Sequence, residues 1–163
     1  MAVAYVLREI FISWMVGHAS TLLLGRMISI DAILNLNCIR NERLNKLIGV
    51  GVCKRALVSS FIKHFNRRLR LSGAKPSVNQ LTELRESMTY AETVHLIGFA
   101  YVIGRVLLSI INEENQSMIV PLFAMNVLVN LYPALVQQIN KRRVDRLIKS
   151  LSTQTSPVVP REH

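Results

Sequence analysis

The sequence contains few charged and few aromatic residues. Only 18% of its 163 residues are charged, 6% are aromatic, and half are hydrophobic. A soluble domain usually carries more charge than this. Positive charges outnumber negative ones, because the chain has 20 Lys and Arg but only 10 Asp and Glu, which gives a formal net charge of +10. A high apolar content together with an excess of basic residues favours a membrane protein with basic flanks. A nucleic-acid partner is disfavoured, because the apolar runs are long, aromatic residues are scarce and no zinc-ligand spacing is present.

Cysteine and signal-peptide features are also scarce. The two cysteines, Cys38 and Cys53, form no C-x-x-C motif and no disulfide framework, so we expect free thiols in a reducing compartment. The first apolar run follows Arg8 and Glu9, and no small-residue cleavage motif closes it. We therefore interpret that run as part of the mature chain.

Three apolar segments predict an all-α integral membrane bundle with about three transmembrane helices. They cover Ile10–Gly25, Leu96–Ile111 and Met118–Val136. A helical span needs about 20 mostly apolar residues. The third segment has no formal charge, whereas the second is interrupted by Arg105, which we expect to reach the outer headgroups.

The link between the second and third segments predicts a helical hairpin. This link, "NEENQS", is short and acidic, whereas basic residues precede the second segment and follow the third. The positive-inside rule then places the basic regions in the cytoplasm of a multi-pass cell-membrane protein. We expect one membrane-embedded domain over residues 1–151 and a disordered, proline-containing tail over 152–163.

The middle of the chain, residues 31–70, has the pattern of amphipathic cytoplasmic helices. Leu57, Phe61 and Phe65 recur every four residues with cations between them. Such a helix either packs on the bundle with a solvated outer face or lies on anionic lipid headgroups, and the sequence leaves both open. Gly73 and Pro76 then indicate a linker, after which helix resumes near Asn79.

Two sets of polar residues form the candidate site. Glu92 and His95 are three residues apart at the start of the second span and share a helix face. In the third span, Asn126, Asn130, Gln137 and Asn140 fall on one helical stripe. The hairpin would gather one cluster at the cytoplasmic boundary of the membrane, consisting of Glu92, His95, Asn130, Gln137, Asn140 and Arg143. The alternative is that the amides simply bond neighbouring helices.

Two other polar features have simpler explanations than a functional site. His18 lies in the middle of the first apolar segment, but its neighbours Gly17, Thr21 and Gly25 favour a packing face. A Glu-x-x-His motif also occurs in di-iron bundles, which need two copies and further carboxylates. This chain has one copy, so we predict no metal site.

The stretches "AETVHLIGF" and "NLYPALVQQINKRRVDRL" carry a resemblance that covers about Thr89 to Leu147. They resemble the glycosyl-4,4'-diaponeurosporenoate acyltransferase family, small bacterial membrane proteins of staphyloxanthin-type pathways. The family pattern has Ala-Glu-x-x-His at the start of one apolar segment, and Asn, Pro and Gln-Arg-Tyr-Asn-Arg at the end of a later one. The matching residues are Ala91, Glu92, His95, Asn130, Pro133 (displaced by one position), Gln137, Asn140 and Arg143. Leu96, Gln138 and Ile139 depart from it, standing where the family has Trp, Arg and Tyr.

The resemblance implies transfer of a fatty acyl group from a thioester co-substrate to a hydroxyl of a glycolipid or carotenoid-type acceptor, without a cofactor. Together with side-chain chemistry it suggests His95 as general base and Glu92 as the group that orients its imidazole. Asn130 and Gln137 would donate hydrogen bonds to the oxyanion. Substrate phosphates or anionic headgroups would be bound by Asn140, Lys141, Arg142 and Arg143.

A non-enzymatic function is the alternative that the sequence leaves open. The chain would then be a small membrane scaffold whose amide stripe docks a partner helix while its basic helices bind anionic lipid. Assembly into a homo-oligomer is compatible with either function.

Overall fold

The computed structural model of the chain describes residues 2–27 and 76–155. The regular elements in these ranges are all helical, which confirms the all-α expectation for the described residues. They are α1 (Ala2–Met27), α2 (Val78–Ile111), a short 3-10 turn (Gln116–Met118), α3 (Ile119–Asn126), a π-helical segment (Val127–Leu131) and α4 (Tyr132–Thr155). The predicted amphipathic helices of residues 31–70 and both cysteines lie outside the described residues.

Local sequence signals explain where α2 begins and ends. Ser77 caps it by accepting a hydrogen bond from the backbone N–H of Gln80, whose side chain accepts from the Ser77 backbone N–H in return. At the other end, Glu113 and Asn115 adopt left-handed backbone angles of 56° and 51° in φ. Those angles reverse the chain within the acidic link and produce the predicted hairpin.

Helix α3, the π-helical segment and α4 follow one another without a break and form one helical rod over residues 119–155. The rod has a widened turn at Val127–Leu131. Pro133 has no N–H, so it cannot donate the α-helical bond to the carbonyl of Val129 four residues earlier. The π-helical segment Val127–Leu131 lies immediately before this proline. A π-helical turn of this kind is often found at functional positions, and here it carries Asn130.

Helix α1 runs antiparallel to α2 and packs against it through small residues. A Cβ atom on Gly17 would lie 2.4 Å from the carbonyl oxygen of Val94, so the two backbones are in direct contact there. Towards the link, Val6 and Ile10 join Val102, Val106 and Leu122 in one apolar cluster. Gly17 and Thr21 are buried, as the predicted packing face requires, whereas Gly25 and His18 are exposed.

The outer surfaces of the helices are strongly apolar. Exposed apolar side chains occur on α1, on the end of α2 and on the rod after it, and include Val3, Leu7, Phe11, Met15, Leu22, Leu107, Ile111, Val120, Phe123 and Leu128. Two continuous helical stretches, Val78–Ile111 and Gln116–Thr153, are long and apolar enough to cross a membrane. Only 28% and 33% of their most apolar 18-residue windows are buried within the chain, which is low for core helices of a soluble protein.

The prediction for Arg105 needs correction. Arg105 was expected to extend to the headgroups, but its Nε lies 3.1 Å from Oε2 of Glu9 on α1. Glu9 is 2% exposed, and its carboxylate also accepts from Arg8 Nη2 at 2.8 Å and from the Tyr101 hydroxyl at 3.4 Å. A buried carboxylate attracts such partners because its desolvation is costly.

The end of α4 also differs from expectation. The helix continues through Thr155, past the boundary expected between residues 151 and 152. Residues 156–163 of the expected tail lie outside the described part of the chain.

The contact between Gly17 and Val94 gives a test of the packing. Gly17→Ala should lower the free energy of unfolding by about 1–3 kcal/mol, because the added methyl group meets backbone that cannot move without separating the helices. Gly104→Ala is the matched control, since a Cβ there would meet nothing within 4 Å. The measurement is SDS-induced unfolding in mild detergent micelles, and equal stability of both variants would contradict the described crossing.

Candidate functional site

The helices also approach each other closely around Gly98 of α2. A Cβ atom on Gly98 would lie 3.1 Å from the carbonyl oxygen of Ser13 on α1 and 3.2 Å from Oδ1 of Asn130 in the π-helical segment. Ser13, Asn126 and Asn130 are each 0% exposed. Two parts of the chain that are distant in sequence, α1 and residues 126–130, therefore place polar side chains in one buried position against α2.

These buried groups form a continuous hydrogen-bond network. Asn126 Nδ2 donates to the carbonyl of Phe99 at 3.1 Å. Asn130 Nδ2 donates to Oδ1 of Asn126 at 2.8 Å and to Oγ of Ser13 at 3.2 Å. The Ser13 hydroxyl in turn donates to the carbonyl of Ile10 at 2.7 Å. Each polar group thus has a partner, as burial in apolar surroundings requires.

His95 lies at the edge of this network. Its Nδ1 is 3.5 Å from Oδ1 of Asn130, and the carbonyl of Val129 also interacts with the ring. The imidazole is half-buried, whereas Asn130 is completely buried. The predicted meeting of His95 and Asn130 therefore occurs, at the boundary between the buried network and the surface of the helices.

The geometry changes the role expected of Asn130. Both hydrogens of its carboxamide are engaged, one by Asn126 and one by Ser13. A carboxamide has only two N–H donors, so this one has none left for an oxyanion. Its remaining function at the site is to accept a hydrogen bond from His95.

Glu92 also differs from its expected role. Its carboxylate forms a buried ion pair with Nζ of Lys141 on α4, so the imidazole of His95 is bonded to Asn130 instead. Glu92 and Lys141 are 1% and 6% exposed. Two opposite charges removed from water attract strongly, which explains why Glu92 turns to Lys141. Lys141 consequently cannot serve as the free phosphate-binding cation that the sequence suggested.

The remaining predicted residues lie further along α4. Gln137, Asn140 and Arg142 are half-buried, and Arg143 is exposed. Gln138, next to the predicted Gln137, is buried instead, and neither atom of its amide group has a hydrogen-bond partner within the described structure. The sequence pattern does not distinguish these two neighbouring glutamines.

Sequence reasoning also missed Ser13 and the pair formed by His18 and Tyr90. His18 Nδ1 lies 3.1 Å from the hydroxyl of Tyr90 on the surface of the bundle. Ser13 precedes Gly17 and Thr21 at spacings of four residues, so the small-residue face could have been extended to include it. Within residues 2–27 and 76–155, no three His, Cys, Asp or Glu side chains are grouped as metal ligands.

This arrangement is suited to proton transfer. An imidazole at the boundary of a buried network, with one nitrogen facing a fixed acceptor, is a group that can take and return a proton. Neighbouring α4 supplies carboxamides and an exposed guanidinium on the same rod as Asn130.

Comparisons with known proteins give one result. The family model described as glycosyl-4,4'-diaponeurosporenoate acyltransferase matches residues 11–150, which include α1 from residue 11 onwards, all of α2, α3 and the π-helical segment, and α4 as far as residue 150. Searches of the curated proteins and of the solved structures find no match. Because the family match covers most of the sequence and includes every residue of the candidate site, this chain belongs to the glycosyl-4,4'-diaponeurosporenoate acyltransferase family.

Proposed function

We propose that the protein is a multi-pass membrane acyltransferase in which His95 is the general base. A fatty acyl group would move from a thioester donor to a hydroxyl of a glycosylated lipid or carotenoid-type acceptor. The observation that carries the proposal is the contact between His95 Nδ1 and Asn130 Oδ1, since it places an imidazole held by a buried network in a member of an acyltransferase family.

The reaction balances without a cofactor. His95 removes the proton of the acceptor hydroxyl, whose oxygen attacks the carbonyl carbon of the thioester. The tetrahedral intermediate collapses as its carbon–sulfur bond breaks, and the proton passes from the imidazole to the departing thiolate. The products are an ester and a thiol.

Gln137 is the residue that we propose for stabilising the oxyanion. It is half-buried and lies two turns beyond Asn130 on the same rod. Asn130 has no free donor, so this task falls to a carboxamide that has exposed surface. Asn140, Arg142 and Arg143 would bind the polar end of a substrate or anionic headgroups, with the exposed Arg143 best suited to a phosphate.

The apolar surface supports the proposed membrane setting. Helix α2 and the rod after it would cross the bilayer with the acidic link outside and the basic end of α4 in the cytoplasm. Helix α1 would be the third span. Its outer face carries the exposed apolar residues Leu7, Phe11 and Met15, and on its inner face the charge of Glu9 is paired with Arg105 of α2. Homo-oligomer formation stays a prediction.

The scaffold alternative loses part of its basis. It needs the amide stripe to be available to a partner helix, whereas Asn126 and Asn130 are 0% exposed and bonded within the chain. The half-buried Gln137 and Asn140 would be the part of that stripe left for docking.

His95→Ala should abolish acylation while leaving folding and membrane insertion intact. The measurement is mass spectrometry of lipids and pigments from cells that lack the gene and carry the wild type, His95→Ala or His18→Ala. An acylated species should disappear with the gene, return with the wild type and with the matched control His18→Ala, and stay absent with His95→Ala. Full acylation by His95→Ala would remove the base assignment, and an unchanged lipid profile without the gene would favour the scaffold.

Gln137→Leu should lower kcat by about 10²–10³-fold with a much smaller change in KM, because oxyanion stabilisation acts in the transition state. Gln138→Leu is the control at the adjacent position. That substitution removes a buried amide without hydrogen-bond partners among the described residues, so it should leave activity and stability close to wild type. Equal losses of kcat in both variants would contradict the role of Gln137.

Glu92→Gln should destabilise the protein by about 3–5 kcal/mol, because it leaves the charge of Lys141 buried beside a neutral amide. The double variant Glu92→Gln/Lys141→Met should recover most of that loss, since it removes both charges. Unfolding in detergent is the measurement, with Arg85→Gln, which breaks the more exposed pair with Asp145, as a control of small effect. A double variant as unstable as Glu92→Gln would show that the pair does not explain the effect.

A further inference from the structure

The orientation of the Asn130 carboxamide is fixed from two sides. From α2, the Phe99 carbonyl can only accept, so Asn126 must turn its Nδ2 towards it at 3.1 Å. That orientation presents Oδ1 of Asn126 to Asn130, which must therefore donate at 2.8 Å. The chain of contacts starts at a backbone carbonyl and allows one arrangement of both amide groups.

The second constraint comes from α1 and is independent of the first. Ser13 gives its hydroxyl hydrogen to the Ile10 carbonyl at 2.7 Å. Its Oγ can then only accept from Asn130 Nδ2, which lies 3.2 Å away. Both helices thus require the amino group of Asn130 to point into the network, and its Oδ1 is left facing Nδ1 of His95 at 3.5 Å.

An acceptor that faces Nδ1 selects one form of the neutral imidazole. A neutral histidine carries one hydrogen, and the nitrogen that lacks it holds the basic lone pair. Asn130 Oδ1 can bond Nδ1 only if Nδ1 carries that hydrogen. The base needed for acyl transfer is then Nε2.

We propose that Ser13 and Asn126 are positioning residues that act through Asn130 to keep the neutral His95 ring protonated at Nδ1 and basic at Nε2. The catalytic consequence rests on the function proposed above, whereas the protonation pattern of the ring can be measured without turnover. Neither residue contacts the imidazole or the reacting atoms, so substrate affinity should depend little on them.

The experiment is nitrogen NMR of the full-length protein, labelled with ¹⁵N-histidine and reconstituted in phosphatidylcholine bilayers. The signals of His95 are assigned by their loss in His95→Gln. At a pH about two units above the ordinary histidine pKa of about 6.5, Nδ1 should give the shift of a protonated ring nitrogen and Nε2 that of an unprotonated one. A hydrogen on Nε2, for example bonded to the nearby Val129 carbonyl, would overturn the proposal.

Substitutions then test the two positioning residues. Either constraint alone still orients Asn130, so Ser13→Ala and Asn126→Ala should each have a small effect. The double variant Ser13→Ala/Asn126→Ala should populate both forms of the ring and lower kcat at least about tenfold with little change in KM. Ser109→Ala, the same change at a buried serine of α2 that is not part of the network, should change neither readout.

The outcomes separate this proposal from the acyltransferase assignment. Retention of a single form protonated at Nδ1 in the double variant would show that Ser13 and Asn126 do not position Asn130. If the double variant fails to insert, the wild-type spectrum still decides the protonation pattern. An inactive His95→Ala with wild-type Nε2 protonated refutes the positioning proposal alone, whereas an active His95→Ala refutes the general-base role alone.

Discussion

The burial of one carboxamide in an apolar bundle is the constraint on which the rest of the site depends. Asn130 is completely buried with its donors and acceptor used, and leaving that amide unpaired in such surroundings would cost several kcal/mol. Its partners come from α1, from the preceding helical turn and from α2. Satisfying this one group therefore sets where three helices meet, and Gly98 permits the close approach.

The buried charges follow the same rule at the two ends of the described bundle. Glu9 binds Arg105 across α1 and α2, and Glu92 binds Lys141 across α2 and α4. Each pair links helices that small residues and apolar contacts already bring together. These pairs add specificity of alignment more than stability, since attraction between charges is offset by the cost of desolvating them.

The π-helical segment connects backbone chemistry with the site. Pro133 removes one α-helical donor, and the segment just before it carries Asn130 and leaves the Val129 carbonyl close to the His95 ring. A regular helix would turn successive side chains by about 100° and keep every carbonyl occupied. The irregular turn thus changes the direction in which the Asn130 side chain leaves the helix, and Pro133 removes the α-helical donor to the Val129 carbonyl.

The sequence alone determined the helical class, the hairpin and the family, because apolar period, a short polar link and motif spacing are local properties. It also placed His95 and Asn130 together, since a hairpin fixes which ends of two helices are neighbours. It could not assign partners among side chains. Glu92 forms its ion pair with Lys141, and Asn130 donates both amide hydrogens to Ser13 and Asn126. Gln138 is buried, whereas the neighbouring Gln137 is only half-buried. Those choices depend on the rotation of each helix about its own axis and on the position of α1, which only the tertiary packing decides.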